Sequence, residues 1–349
     1  MRDIIMYIGK YKIIKELGSG AMGKVYLGED SQLGKLYAIK TAIQTPDGKY
    51  VEALKHECHI MKNLSERFIP YVVDVGQDGD ITYMVMEYIE GENLQDYLSK
   101  HAPLSPDRAV DYIKKITDII SYLHSQNPGI IFRDLKPSNL IIDNNDNIRL
   151  LDFGAGIEAY HMTNSLYIMG TYGYAAPEVL EGKNIGRSSD IYSLGAILYF
   201  MLTGIDPALP PYKIEDIQEA DITVGDSLCK LVNDMTNPSV SKRISTCQVL
   251  EDRIRDLKDC SKARKLYRDY LVFYPAFIIG IVYSSYYIWL SYVNECILYN
   301  KLYISLAILL GLILIKRTLD RQYDNRHFIR KRRINLIYTE KRVVFFPRH

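Results

Sequence analysis

Cysteine is scarce in this sequence. The 349 residues hold five, an odd number (Cys58, Cys229, Cys247, Cys260 and Cys296), and no two form a C-x-x-C pair. That spacing excludes a disulfide framework and a structural zinc site, and it suits reduced, mostly buried thiols in a cytosolic domain. An excess of one charge is missing as well: 43 Lys/Arg stand against 42 Asp/Glu, a net charge of +1. As a total, that balance argues against a polyanionic partner, but a total is silent on distribution. The opening residues, Met1 to Met6, include the acid Asp3 and no apolar core, so a cleavable signal peptide is not expected. Residues 1–258 contain no internal repeat. What is present, 48% hydrophobic and 24% charged residues, excludes wholesale disorder and fibrous repeats. The length suffices for one large domain or two ordinary ones.

The first 258 residues read as mixed α and β. Tyr11–Leu17, Lys24–Glu29, Leu36–Thr41 and Ile81–Ile89 alternate like strands joined by glycine-containing turns. Val51–Leu64 reads as a helix with Leu54, Cys58 and Met61 on one face. Ser105-Pro106 starts another, because serine caps and proline suits the first helical position. That helix runs to about Ser125 and buries Ile113, Ile116, Ile120 and Leu123. A strand-rich part followed by a helix-rich part predicts two lobes.

Chemistry concentrates in a few short runs. Leu17 to Val25 read Leu-Gly-Ser-Gly-Ala-Met-Gly-Lys-Val. Glycines at 18, 20 and 23 let a backbone approach phosphates closely, since no Cβ intervenes. A dinucleotide site with the same spacing would open a helix. Here a strand follows, so a phosphate-covering hairpin is expected. Further along come Ala38-Ile39-Lys40, the mid-helix Glu57, Arg133-Asp134-Leu135-Lys136-Pro137-Ser138-Asn139, Asp152-Phe153-Gly154, Ala176-Pro177-Glu178, and Asp190 in Ser-Ser-Asp-Ile-Tyr-Ser-Leu-Gly. In this order and spacing, the set resembles the eukaryotic-type (Hanks-type) protein kinase family over about residues 10–258, most closely its bacterial membrane-anchored serine/threonine members.

The resemblance implies an α+β, two-lobed fold, with a small strand-rich N-lobe (about 10–88) and a larger helical C-lobe (about 91–258). It implies ATP and Mg²⁺ as cofactors, with Mn²⁺ as a substitute. Asp134 would accept the proton of a substrate hydroxyl, with Lys136 and Thr171 supporting it. Asn139 and Asp152 would ligate the metal, as hard oxygen donors suit Mg²⁺. Lys40 would neutralise phosphates and pair with Glu57. The nucleotide would lie under Leu17, Gly18, Ser19, Gly20, Ala21, Met22, Gly23 and Lys24. Its ring would sit among Val25, Ala38, Ile141 and Met86 and bond the backbone of Glu87 and Ile89. Lys136, two residues after the base, is similar to serine/threonine rather than tyrosine kinases, and Thr171-Tyr172-Gly173 to Glu178 resembles bacterial members. Glu178 would pair with Arg243. Arg133 beside Asp134 implies control by phosphorylation between Asp152 and Glu178, where Thr163 and Ser165 are the candidates. Phe132 departs from the histidine usual there and cannot make histidine's hydrogen bonds. It is the one sequence feature favouring a membrane-anchored pseudokinase scaffold, which would bind nucleotide and partners without turnover.

The character changes after residue 258. Leu271–Leu290 is uncharged for 20 residues, long enough as a helix of roughly 30 Å to cross a bilayer. A second run, 296–315, carries only Asn300 and Lys301 as strongly polar interruptions, and Lys301 could snorkel. Basic residues flank both (Lys262, Arg264, Lys265, Arg268; Lys316, Arg317), while the spacer holds few charges. The expectation is a basic juxtamembrane linker (259–269), transmembrane helices at 270–290 and 296–315, and a basic tail (316–349). The kinase domain and the tail would both be cytoplasmic, in a two-pass protein of the cell membrane. Trp289 and Tyr292 would fall at the outer interface. The tail holds eleven Lys/Arg against three acids, leaving 32 basic and 39 acidic residues before it. Its expected partner is anionic lipid, and nucleic acid is not expected, for no aromatic-interleaved groove accompanies it. Protein substrates are the other partner class. Self-association is allowed, though no G-x-x-x-G pattern supports it.

Overall fold

A computed structural model describes residues 6–20, 23–153, 157–158, 170–217 and 224–293. Contacts divide the chain into two units, Met1–Arg255 and Asp256–His349. The first unit begins with a six-stranded antiparallel sheet: β1 (Tyr7–Ile8), β2 (Tyr11–Gly20), β3 (Gly23–Asp30), β4 (Lys35–Ile43), β5 (Val72–Asp78) and β6 (Ile81–Glu87), in the order β1-β2-β3-β4-β6-β5. The glycine-rich run is indeed a hairpin, with Ser19 opposite Lys24 and Gly20 opposite Gly23. β2 and β3 extend further than their alternation predicts, because cross-strand pairing carries the ladder to the glycines. Tyr11, Tyr37, Ile39, Tyr83 and Val85 build a core on one face, with the Tyr11 and Tyr37 rings edge to face at 5.9 Å. Helix α1 (Lys49–Lys62) packs on β4 and β6 and buries Leu54, Cys58 and Met61.

The helical part follows. Short strand β7 (Gly91–Asn93) leads into α2 (Leu94–His101), where the Asn93 side chain caps the Gln95 N–H. α3 (Pro106–Ser125) starts where its sequence predicts, with Ser105 Oγ accepting from Arg108 N. Such a cap is worth about 1 kcal/mol. Ile113, Ile116, Ile120 and Leu123 are fully buried, at roughly 1.5–3 kcal/mol each. They face α5 (Arg187–Thr203), which in turn packs on α6 (Asp226–Met235). Strands β8 (Ile130–Ile131), β9 (Leu140–Asp143), β10 (Ile148–Leu150) and β11 (Ile157–Glu158) form small sheets, β10-β9-β7 and β11-β8, that frame the loop 132–139. α4 (Pro177–Leu180) precedes α5. The strand-rich lobe followed by a helical lobe is the architecture the resemblance implies.

α7 (Cys247–Val293) is 47 residues long. Cys247, Leu250 and Ile254 are buried in the first unit. The second unit's described part is the remainder of this helix, and the first apolar run lies within it. Exposed along it are Ile279, Val282, Tyr283, Trp289 and Tyr292. Among the described residues no helix is long and apolar enough to cross a membrane, so the expected span at 270–290 finds no support in α7. The expected second span (296–315) and the basic tail lie outside the described residues.

Candidate active site

Lys40 sits on β4 opposite Val25 of β3, one strand in from the glycine hairpin. Its Nζ meets Glu57 of α1 at 2.8 and 2.6 Å and Asp152 at 2.7 Å. Glu57 is buried and also accepts from the Phe153 N–H at 3.3 Å, whereas the Asp152 side chain is 46% exposed. Burial opposes the Lys40 charge, yet Glu57 and Asp152 outweigh it and hold its pKa above the ordinary lysine value. Burial pushes the Glu57 carboxyl up to about 7, against the pull of Lys40. One cation thus joins a strand, a helix and the segment after β10, with the exposed Asp152 left facing solvent.

A second cluster surrounds Asp134. Lys136 Nζ donates to Asp134 Oδ2 at 2.7 Å and to Thr171 Oγ1 at 2.8 Å. Thr171 Oγ1 donates in turn to Asp134 Oδ1 at 2.7 Å. The Asp134 carbonyl accepts from Asn139 Nδ2 at 2.9 Å. Both carboxyl oxygens of Asp134 are therefore fixed in direction and next to a positive charge. The loop is held from below: Asp190, fully buried on α5, accepts from Phe132 N at 2.9 Å and Arg133 N at 2.8 Å. Arg133 has φ +66°, a left-handed conformation costly for a side chain and sustained only by such anchoring. Burial lowers its guanidinium pKa to about 10, with Asp190 and Asp134 acting against the shift. Phe132 is buried with its ring edge to face on Phe153 at 5.5 Å. The apolar contact expected of Phe132 is present, and its backbone N–H rather than its side chain anchors the loop.

The segment leading to α4 is clamped twice. Arg243 makes a bidentate pair with Glu178 at 2.6 and 3.0 Å, and Ser189 Oγ adds a bond to Glu178 at 2.8 Å. Burial opposes the Glu178 charge, but Arg243 and Ser189 hold its pKa below the ordinary value. Tyr174 OH donates to Asp206 Oδ1 at 2.7 Å. Gly173, at φ +87°, lies so close to the Pro207 carbonyl that a Cβ would overlap it. The Asp206 clamp and the His124 contact to Asp190 at 2.8 Å have no local signal in the sequence.

The donor set fits a magnesium nucleotide. A Cβ on Gly18 or Gly20 would meet nothing within 4 Å, so packing does not demand glycine there and the hairpin leaves room for phosphate. Asn139 spends its amide N–H on Asp134, so Oδ1 is what it can offer a cation. Asn139 and Asp152 supply two oxygen donors and leave other positions to phosphate and water, the usual manner for Mg²⁺. Ala38 pairs with Met86 in the ladder. Ala38, Met86 and Ile89 are buried, while Val25 and Ile141 are half-buried. Glu87 donates its N–H to Tyr71 O at 3.0 Å, and its side chain pairs with Arg149 at 2.9 Å. Ser19 and Lys24 sit in the hairpin, with Lys24 paired to Glu16 at 2.8 Å and Leu17 partly exposed. Ala21, Met22, Gly154, Thr163 and Ser165 lie outside the described residues.

Residues 11–254 match the family model described as protein kinase domain. The serine/threonine-protein kinase PrkC of Bacillus subtilis is 34% identical over 203 residues, 57% of this chain and 31% of that protein. The serine/threonine-protein kinase pkn2 of Myxococcus xanthus is 34% identical over 212 residues, 58% of this chain and 25% of its own. The serine/threonine-protein kinase cds1 of Schizosaccharomyces pombe is 31% identical over 268 residues, 69% of this chain and 57% of its own. The chain thus spans about a quarter to under two thirds of the length of these curated relatives.

Proposed function

The chain belongs to the Hanks-type protein kinase family, and from that premise we propose that it transfers the γ-phosphoryl group of Mg-ATP to serine and threonine hydroxyls of proteins. The observation that carries the reading is the pairing of two clusters in one unit. Lys40, Glu57 and Asp152 gather charge for the phosphates, and Asp134, Lys136 and Thr171 present a fixed carboxylate for the acceptor hydroxyl. Phosphoryl transfer asks little covalent chemistry of a protein, so positioning and charge neutralisation carry the rate. Asp134 takes the hydroxyl proton as the oxygen attacks. Lys136 stands beside the charge that gathers there. Lys40 holds the phosphates, and Mg²⁺, when bound by Asn139 and Asp152, supplies further neutralisation.

The test is phosphate transfer from labelled ATP by the full chain, to itself and to a generic protein acceptor, beside Asp134→Asn. The expected loss in the variant is about 10²- to 10⁴-fold, the usual worth of a positioned acid or base. A wild-type chain that binds nucleotide but transfers nothing with magnesium or manganese would establish the scaffold reading instead. Phosphopeptide mapping after incubation with ATP is expected to find phosphate at Thr163 or Ser165, and an unmodified segment in an active enzyme would sink self-activation.

The membrane reading is part of the same proposal. Its support is the sequence: an uncharged run at 271–290, a second apolar run broken only by Asn300 and Lys301, basic flanks and a basic tail. The kinase unit and the tail would share the cytoplasmic side.

A further inference from the structure

The hydrogen bonds under the catalytic loop do not stop at Asp190. His124, near the end of α3, is buried, and its Nε2 lies 2.8 Å from Asp190 Oδ2. Its other nitrogen, Nδ1, lies 3.5 Å from the Sγ of Cys247, the first residue of α7. Asp190 is an acceptor throughout, since it also receives the N–H groups of Phe132 and Arg133. Nε2 therefore donates to that carboxylate, and an Nδ1 left with its lone pair needs a donor. Cys247 supplies one. Burial pushes its thiol up to about 12, so it keeps the proton it donates.

We infer that Cys247 is a positioning residue for phosphoryl transfer: its S–H donates to His124 Nδ1 and seats the ring against Asp190, and through Asp190 it steadies the backbone of residues 132–134 that aims the Asp134 carboxylate. The line runs Cys247, His124, Asp190, then the N–H groups of Phe132 and Arg133. It ends on the Asp134 N–H, which donates to Phe132 O at 2.9 Å. Every side chain in it is buried, so each bond acts in a low dielectric and an unmade one is costly. Without the thiol donor, Nδ1 keeps its lone pair in a buried site with no partner, and the ring loses the contact that seats it against Asp190.

The effect on rate rests on the kinase reading above, while the tautomer does not. In the full chain, nitrogen-15 spectra of labelled histidine, assigned with His124→Gln, are expected to show His124 protonated at Nε2 alone. A proton on Nδ1 in the wild type would overturn the proposal whatever the activity. Cys247→Val, close in size but without a donor, is expected to lower kcat about five- to tenfold with the KM for ATP unchanged, His124 staying protonated at Nε2. Cys247→Ser, which restores a donor, should return kcat to within about twofold. Equal losses in both variants, or none in Cys247→Val, would reduce Cys247 to packing. A wild type that shows the Nε2 tautomer but transfers no phosphate would count against the kinase reading and leave the hydrogen-bond assignment standing.

Discussion

Glu57 shows what a single buried side chain demands of its surroundings. Its carboxyl loses solvent, and Lys40 returns only part of what the burial costs, so its pKa stands near 7 rather than at the ordinary 4.5. A carboxyl whose pKa rises on folding binds more protons folded than unfolded between those two values. By linkage, its contribution to stability is present below about pH 4.5 and is lost as the pH rises toward 7, by up to about 3 kcal/mol. Thermal melts of the wild type and of Glu57→Gln, run at pH 5 and pH 8, isolate the effect. The wild type should lose more stability than the variant on going to pH 8, and parallel behaviour would show that Glu57 does not carry the shift. The same residue shows how much of the site can be read before folding. Lys40, Asp134, Asn139 and Asp152 sit in short motifs whose residue types follow from phosphate and magnesium chemistry, and the structure gathers them into two adjoining clusters. His124 and Cys247 sit in no motif. Their meeting joins residues 123 positions apart, one near the end of α3 and one at the start of α7, which no spacing rule encodes.

Elements differ in how openly their residues announce them. α3 declares its start through Ser105 and Pro106 and its inner face through a four-residue rhythm. α5 does not, because nearly every side chain from Ser188 to Leu202 is buried, and a helix without a polar face has no amphipathic period to read. The segment from Gly170 to Leu180 is set by clamps to distant residues. Arg243→Ala would leave Glu178 buried without a counter-charge, at a cost of about 3–5 kcal/mol. The melting temperature should fall on the order of 10 °C, and a fall of a degree or two would mean that the pair is not holding the segment. The same clamps present aromatic surface beside the acceptor site. Tyr172, next to Thr171, is 66% exposed and lies 6.0 Å from the ring of Tyr212, itself 52% exposed. On the proposed reading, these exposed rings would offer apolar contact to a peptide whose hydroxyl reaches Asp134. Tyr172→Ala should raise the KM for a protein substrate about fivefold or more while leaving the KM for ATP unchanged. Equal changes in both would indicate a shifted segment rather than lost substrate contact.

At the scale of the whole molecule, the net charge of +1 conceals a partition. Residues 1–315 carry 32 basic and 39 acidic side chains, and the last 34 residues carry eleven and three. The two features of the sequence on which the membrane proposal rests would act by different physics, and that difference makes them separable. Attraction of the tail to anionic lipid is worth roughly 1 kcal/mol per basic residue near the surface and fades once the Debye length shrinks to about 3 Å in 1 M salt. Burial of an apolar run in hydrocarbon does not depend on ionic strength. Membranes from cells making the full chain, washed first with 1 M salt and then with detergent, therefore report on each. Retention through salt and release by detergent is the expected result for an anchored chain. Release by salt alone would leave the tail as the only attachment and remove the two helices from the proposal. Recovery without either would remove both, and would make the exposed Ile279, Val282, Tyr283 and Trp289 of α7 a surface for protein rather than lipid. Alanine in place of Arg330, Lys331, Arg332 and Arg333 completes the separation. In vesicles it should weaken the preference for anionic over neutral lipid while leaving the salt-resistant fraction unchanged, because those four residues act through charge and the apolar runs do not.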